Sequence, residues 1–305
     1  KSWSVYRCPK WRSNNRHHFN TRKRYRLQPM ISTSKIGVSA SRVGGGGAVT
    51  PHVFILDEYP AYAAFSLQKL SASYSGSAIR VRRSSDNAEQ DIGFTNNNLD
   101  SSSLLTFVGA GDGFVTTAYN QLNVAYNFTQ TTANSQPKIV SSGALITDIN
   151  GLASIQFDGV DDFLFSESIN WVTQLDSYQV GSTSDTKFIM ISGAADKFSF
   201  VADSGSTNTA LHSNYGSPSL YVNNVLKAPS NRGDVHNEIS IGTPSVVNHL
   251  NVAHTAWLGF SKIGSYWVAG AWEYNGLIQE FIFYNTNTTS DRSAITTILT
   301  DKYVP

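Results

Sequence analysis

Two blocks constrain this chain more than anything else in it: Phe157-Asp158-Gly159-Val160-Asp161-Asp162-Phe163 and, far downstream, Tyr274-Asn275-Gly276-Leu277-Ile278-Gln279-Glu280-Phe281-Ile282-Phe283-Tyr284. Each joins a tight turn to an apolar run of strand length. Between them, short β-prone runs recur at regular spacing, at 153–157, 163–165, 188–192, 197–202, 220–222, 238–241 and 257–262, with 277–284 closing the series. Gly, Asn, Asp and Pro punctuate them, as a sandwich or jelly roll requires. Asn223-Asn224, set between Tyr221-Val222 and Val225-Leu226, fits a two-residue hairpin turn, because Asn tolerates positive φ. The second half therefore reads as one all-β sandwich closed by its last strand.

Helical pattern is confined to a few short stretches. Ala61, Ala64, Phe65, Leu67 and Leu70 predict a helix between Asp57 and Gly76, and Leu99 to Val108 predicts another. Ile295, Ile298, Leu299 and Tyr303 predict a closing helix capped by Ser290 and Asp291. Ile79-Arg80-Val81-Arg82-Arg83 alternates into a half-buried strand entering a hairpin. Arg80 and Arg82 share its polar face, for which solvent exposure or pairing with Asp86, Glu89 and Asp91 is expected ahead of an anion site.

Charge divides the chain. Residues 1–30 hold nine Lys or Arg and no acid, whereas 31–305 hold fourteen basic and twenty-two acidic residues. Such a cationic segment resists collapse unless a partner neutralises it. The reading is a basic arm over 1–38, a Gly-rich hinge over 39–51 and one folded domain over 52–305. Three roles stay open for the arm: a leader ahead of Met30, an anchor on neighbouring subunits through Arg7, Arg12, Arg16, Arg22, Lys23, Arg24 and Arg26, or a nucleic-acid contact. Cys8 is the only cysteine, so no internal disulfide forms. No run approaches ~18 consecutive apolar residues, and no membrane partner is expected.

For chemistry, Gly109-Ala110-Gly111-Asp112-Gly113 lacks the Gly-Lys-Ser/Thr of a phosphate loop and runs from helix to strand. No histidine or cysteine pattern has metal-ligand spacing, and no cofactor is expected. Asp158, Asp161 and Asp162 are weak calcium candidates, since the same residues also make a tight turn. Trp257, Tyr266, Trp267, Trp272 and Tyr274, with Asn275, are glycan-binding candidates, because aromatic faces beside amides grip sugar rings.

The Phe157–Phe163 turn, the strand at 188–193, the Asn223-Asn224 hairpin and the closing strand with its helix resemble the concanavalin A-like (laminin-G-like) lectin/glucanase jelly roll. Ala63 to Leu67, Ile79 to Asp86, Asp91-Ile92-Gly93, Phe114 to Thr117 and Tyr119-Asn120-Gln121 resemble the arabinofuranosidase B catalytic domain. The same block occurs in bacteriophage virion proteins of this fold, whose start Met30 to Gly37 resembles. The resemblance also implies carboxylates that this sequence lacks: Asn120 stands where the enzymes carry an acid, and 258–264 holds none. Retaining hydrolysis needs two carboxyl groups roughly 5 Å apart. Glu273 and Glu280 are the remaining candidates, with a structural role expected for both.

The expectation is therefore a non-enzymatic bacteriophage virion structural protein, displaying its sandwich toward host-surface glycan and held by other virion subunits, as a homo-oligomer in the virion. The alternatives are a glycoside hydrolase of arabinofuranosidase type and a nucleic-acid-contacting capsid subunit.

Overall fold

The strand Asn275–Tyr284 organises the molecule. Every residue from Ile278 onward is buried, the pattern of a strand covered on both faces. The computed structural model, which describes residues 52–122, 126–166, 174–185, 187–193, 199–207, 219–253, 261–265 and 273–304, shows what covers it.

Along one edge the strand pairs antiparallel with Ala63–Ser66 and, nearer its start, with Ile155–Asp158; along the other it pairs with Gln174–Thr183. Ser245–Ala253, Ser219–Val222 and Val225–Lys227 continue that sheet. The opposing sheet runs Glu89–Ile92, Ile79–Arg83, Gly113–Ala118, Lys138–Ser141 and joins the first through Ile155–Asp158. All these pairings are antiparallel, and the architecture is an all-β sandwich with four short helices among the described residues.

Period-two alternation sorts the closing strand into two cores. Phe281 and Phe283 stack at 5.9 Å and point between the sheets, where Val81, Val115, Ile139 and Phe157 meet them. Ile282 and Tyr284 point outward under Ile295, Leu299 and Tyr303 of the helix Arg292–Tyr303. Three layers result: sheet, sheet and helix. The closing helix and its Asp291 cap position agree with the sequence, although the Asp291 side chain makes no capping bond. Asn223 and Asn224 have φ of 48° and 69°, as the hairpin demands.

Two local expectations are corrected. The helix expected over 57–76 is one turn, Ile55–Glu58, followed after Pro60 by the strand Ala63–Ser66. Proline disfavours helix in the residue before it, and this strand is buried throughout against Phe281 and Phe283, so pairing overrides helical spacing. The strand expected at 238–241 is a turn region that follows the helix Arg232–Asn237, and the long strand begins at Ser245. Asn231 caps that helix by accepting from the Asp234 N–H at 2.8 Å. Residues 52–305 form one compact unit. The arm cations Arg7, Arg12, Arg16, Arg22, Lys23, Arg24 and Arg26, and the hinge, lie outside the described residues.

Candidate functional site

On the opposing sheet, the residues that alternate away from the core make a polar row. Arg82 is registered with Phe114, Phe114 with Lys138, and Lys138 with Gln156, across four strands. Their sequence neighbours Val81, Val115, Ile139 and Phe157 are buried in the inner core. Asp158 follows Gln156 on the same face. The 133–135 turn and the 158–162 turn wall this row, with Asn275 beside them, into a cleft of about 690 Å³.

The row is tightly held. Arg82 donates to Gln136 Oε1 at 2.7 Å, to Asn87 Oδ1 at 2.7 Å and to the Ala133 carbonyl at 3.2 Å, and its guanidinium lies 4.6 Å from the Phe114 ring centre. Lys138 Nζ donates to Asp112 Oδ2 at 2.9 Å.

The acidic end is built by the turn. Asp158 Oδ1 accepts the N–H groups of Val160 at 2.8 Å and Asp161 at 3.3 Å. Gly159, at φ 76°, lets the turn close on Asn275; a Cβ there would stand 2.7 Å from the Asn275 Cβ. Asp161 Oδ2 accepts from Ser135 Oγ at 3.2 Å. Asp162 folds underneath, 5% exposed, and accepts the Asp158 N–H at 3.0 Å. Burial first, then the neighbouring charge of Asp158, pushes the Asp162 carboxyl up to about 7.

Carboxylate oxygens of Asp158, Asp161 and Asp162 lie within 4.8 Å of one another. Calcium needs six to eight oxygens presented to one point. Here an oxygen of each acid is already engaged by a protein donor and the buried one is inclined to keep its proton.

Of the glycan candidates, Asn275 lines the cleft. Tyr274 does not: it is fully buried, donating from its hydroxyl to the carbonyls of Ser182 at 2.7 Å and Leu277 at 3.0 Å, so its place is the core. Trp257, Tyr266, Trp267 and Trp272 lie outside the described residues. Glu280 is also structural. It is 1% exposed, and its Oε2 accepts from Ser66 Oγ at 2.8 Å, Lys302 Nζ at 2.9 Å and Tyr303 Oη at 2.6 Å. Glu273 is bridged to Ser265 near Lys262, whose charge it favours against burial.

Asn120 and Gln121 serve the scaffold. Asn120 Oδ1 accepts from the N–H groups of Ala64 and Leu122, and Gln121 ties Leu70, Ser66 and Gln68 together. Sequence reasoning missed Arg82, Phe114, Lys138 and Gln156 as a group. Their signal was the alternation of four separate strands, which shows a shared row only once register is known.

No family model matches the chain. No curated protein matches it either. Solved structures do. An arabinofuranosidase complexed with arabinofuranosyl-α-1,2-xylobiose is similar at 15% identity with a TM-score of 0.49, over 82% of this chain and 65% of that one. A GH54 α-L-arabinofuranosidase soaked with a cyclic sulfate inhibitor is similar with a TM-score of 0.52, at 15% identity over the same 82% and 65%. A glutamate-to-glutamine mutant of a GH54 α-L-arabinofuranosidase soaked with 4-nitrophenyl α-L-arabinofuranoside gives 0.51, again at 15% identity, 82% and 65%. The chain thus spans 65% of the length of the enzymes it matches, and the likeness is one of fold.

That finding corrects the expected function. The matched structures are glycoside hydrolases, which runs against the reading as a non-enzymatic bacteriophage virion structural protein.

Proposed function

We propose that this protein is a glycoside hydrolase of arabinofuranosidase type and that the outer cleft holds its substrate. The observation that carries this is the pairing, at one end of a polar cleft, of a buried carboxyl that stays protonated near neutrality with a second carboxylate a few ångströms away. The similarity of fold to α-L-arabinofuranosidases supports it.

Asp162 is the general acid. It gives its proton to the departing glycosidic oxygen while Asp158 Oδ2, which has no protein partner among the described residues, attacks the anomeric carbon. The C–O bond to the leaving group breaks as the bond to Asp158 forms, giving a glycosyl ester. Ionised Asp162 then takes a proton from a water whose oxygen displaces Asp158, restoring both groups. Carboxylate oxygens no more than 4.8 Å apart leave less room than the wider gap of inverting enzymes requires. The chain reaches the result without the acids at the positions its resemblance implies.

The test is turnover of 4-nitrophenyl α-L-arabinofuranoside and of arabinose-decorated xylo-oligosaccharides by the full chain. Asp162→Asn should lower kcat about 10²- to 10⁴-fold, and wild-type kcat should fall as pH rises through about 7. No turnover of any furanoside by the wild type, or full activity in Asp162→Asn, would sink the reading.

A further inference from the structure

The strand Ile79–Arg83 carries three arginines with different fates. Arg80 Nε sits 2.9 Å from Asp91 Oδ1, and Arg83 is paired with Asp86 at 2.7 Å. Arg82 is oriented just as firmly, but every partner is neutral: a Gln oxygen, an Asn oxygen and a backbone carbonyl. Glu89 is its register partner on the neighbouring strand but turns to Arg80, at 3.9 Å, and among the described residues no carboxylate forms an ion pair with Arg82.

Neutral acceptors fix the direction of a guanidinium without cancelling its charge, and two of its five N–H donors remain beyond these three bonds. The neighbouring cation in the cleft is different again, because Asp112 already answers Lys138. We propose, resting on the reading of the cleft as the glycan site, that Arg82 anchors an anionic group of the bound glycan, either a uronate carboxylate or a sulfate ester.

The cleft is polarised along its length. Arg82 starts from one end, and the acids follow Gln156, whose backbone is three strand spacings or about 14 Å from that of Arg82 across the sheet; the side chains lean over the 133–136 segment, which Arg82 and Asp161 both bond. An anion at the acidic end would be repelled by Asp158 and would hinder ionisation of Asp162. The negative group therefore sits on the Arg82 side of the cleaved linkage, and the preferred ligand is an oligosaccharide, lying in one direction only.

Calorimetry on the full chain with size-matched neutral, uronate-bearing and sulfated oligosaccharides tests this. At least one acidic ligand should bind about tenfold tighter than the neutral one, as a charge-assisted bond implies, and the advantage should shrink with added salt. Arg82→Gln should reduce acidic binding to the neutral level, with Arg82→Lys between. Should Arg82→Gln not fold, the wild-type salt dependence decides. The stronger of the two anions identifies which chemistry the site reads.

Equal wild-type affinity for neutral and acidic ligands, or an acidic preference that survives Arg82→Gln, overturns the proposal. Acid-preferring binding without turnover keeps it and removes the hydrolase reading. Turnover with no acidic preference does the reverse, and binding of no glycan at all removes both.

Discussion

Asp162 is only 5% exposed, and its carboxyl is raised from 3.8 to about 7. In the unfolded chain the same group titrates near 3.9. Its contribution to stability is therefore complete below about pH 4 and is lost as pH rises through about 7. Above that, the fold must hold an ion it has desolvated, a cost on the order of 4 kcal/mol at most. Asp162→Asn keeps an oxygen for the Asp158 N–H and never ionises. It should therefore melt with the wild type at about pH 3.5, below the unfolded value, and several degrees above it at pH 8.5. Identical melting curves at pH 8.5 would mean that the wild-type carboxyl ionises freely there. The turn itself was legible in Asp158-Gly159 followed by two acids, as was its close spacing. Which acid lies underneath was not, because burial depends on distant segments meeting the turn: the Phe163 N–H donates to the Ser135 carbonyl, the Gly159 N–H to the Tyr274 carbonyl, and Asn275 lies against Gly159. Arg82 was hidden for a related reason. The sequence shows three cations on one strand, and only register decides which of them faces Asp91, Asp86 or neither.

At the scale of elements, the strands with apolar alternation were legible and the two longest polar ones were not. Gln174–Thr183 contains Asp176, Ser177, Gln179, Ser182 and Thr183, all buried, and Ser245–Ala253 buries Asn248 and His249. Pattern reading assigns such residues to the surface, yet here sheet neighbours and the helix cover both faces. Asp176 survives burial by accepting from Thr288 N at 2.7 Å, Thr288 Oγ1 at 2.8 Å and Asn251 N at 2.6 Å. The same logic places Glu280, which fastens the closing helix to the sheet through Lys302 and Tyr303. Burial pulls the Lys302 ammonium down while the Glu280 charge holds it up. Breaking one partner of a buried pair is worth about 3 kcal/mol or more. Glu280→Gln should therefore lower stability to denaturant by roughly that amount, with kcat for the aryl furanoside unchanged in the folded fraction. A kcat collapse without loss of stability would put Glu280 back among catalytic candidates.

For the whole molecule, the fold's logic is closure of the sandwich by strands distant in sequence. Among the described residues the first strand, Ala63–Ser66, pairs with the last, Asn275–Tyr284, so that pairing forms only once residues 275–284 have been made. The sequence announced this in its final apolar run, although the partner strand was hidden in a helical spacing. The outer core depends on the closing helix. Ile295, Leu299 and Tyr303 are all at most 1% exposed, and burial of each large side chain is worth about 1.5–3 kcal/mol. A chain ending before residue 288 would also leave Asp176 without two of its donors and Glu280 without Lys302 and Tyr303. Its losses are comparable to the 5–15 kcal/mol that a typical domain has in reserve. Residues 52–305 form a compact unit of their own, and among the described residues both cores are built from residues 55–304. Thermal melts and near-UV circular dichroism should thus show residues 52–305 melting as the full chain does, and residues 1–287 without a cooperative transition. Cooperative unfolding of 1–287 would mean that the sandwich stands without its helical layer; a large drop in melting temperature for 52–305 would mean that the first segment belongs to the folded unit.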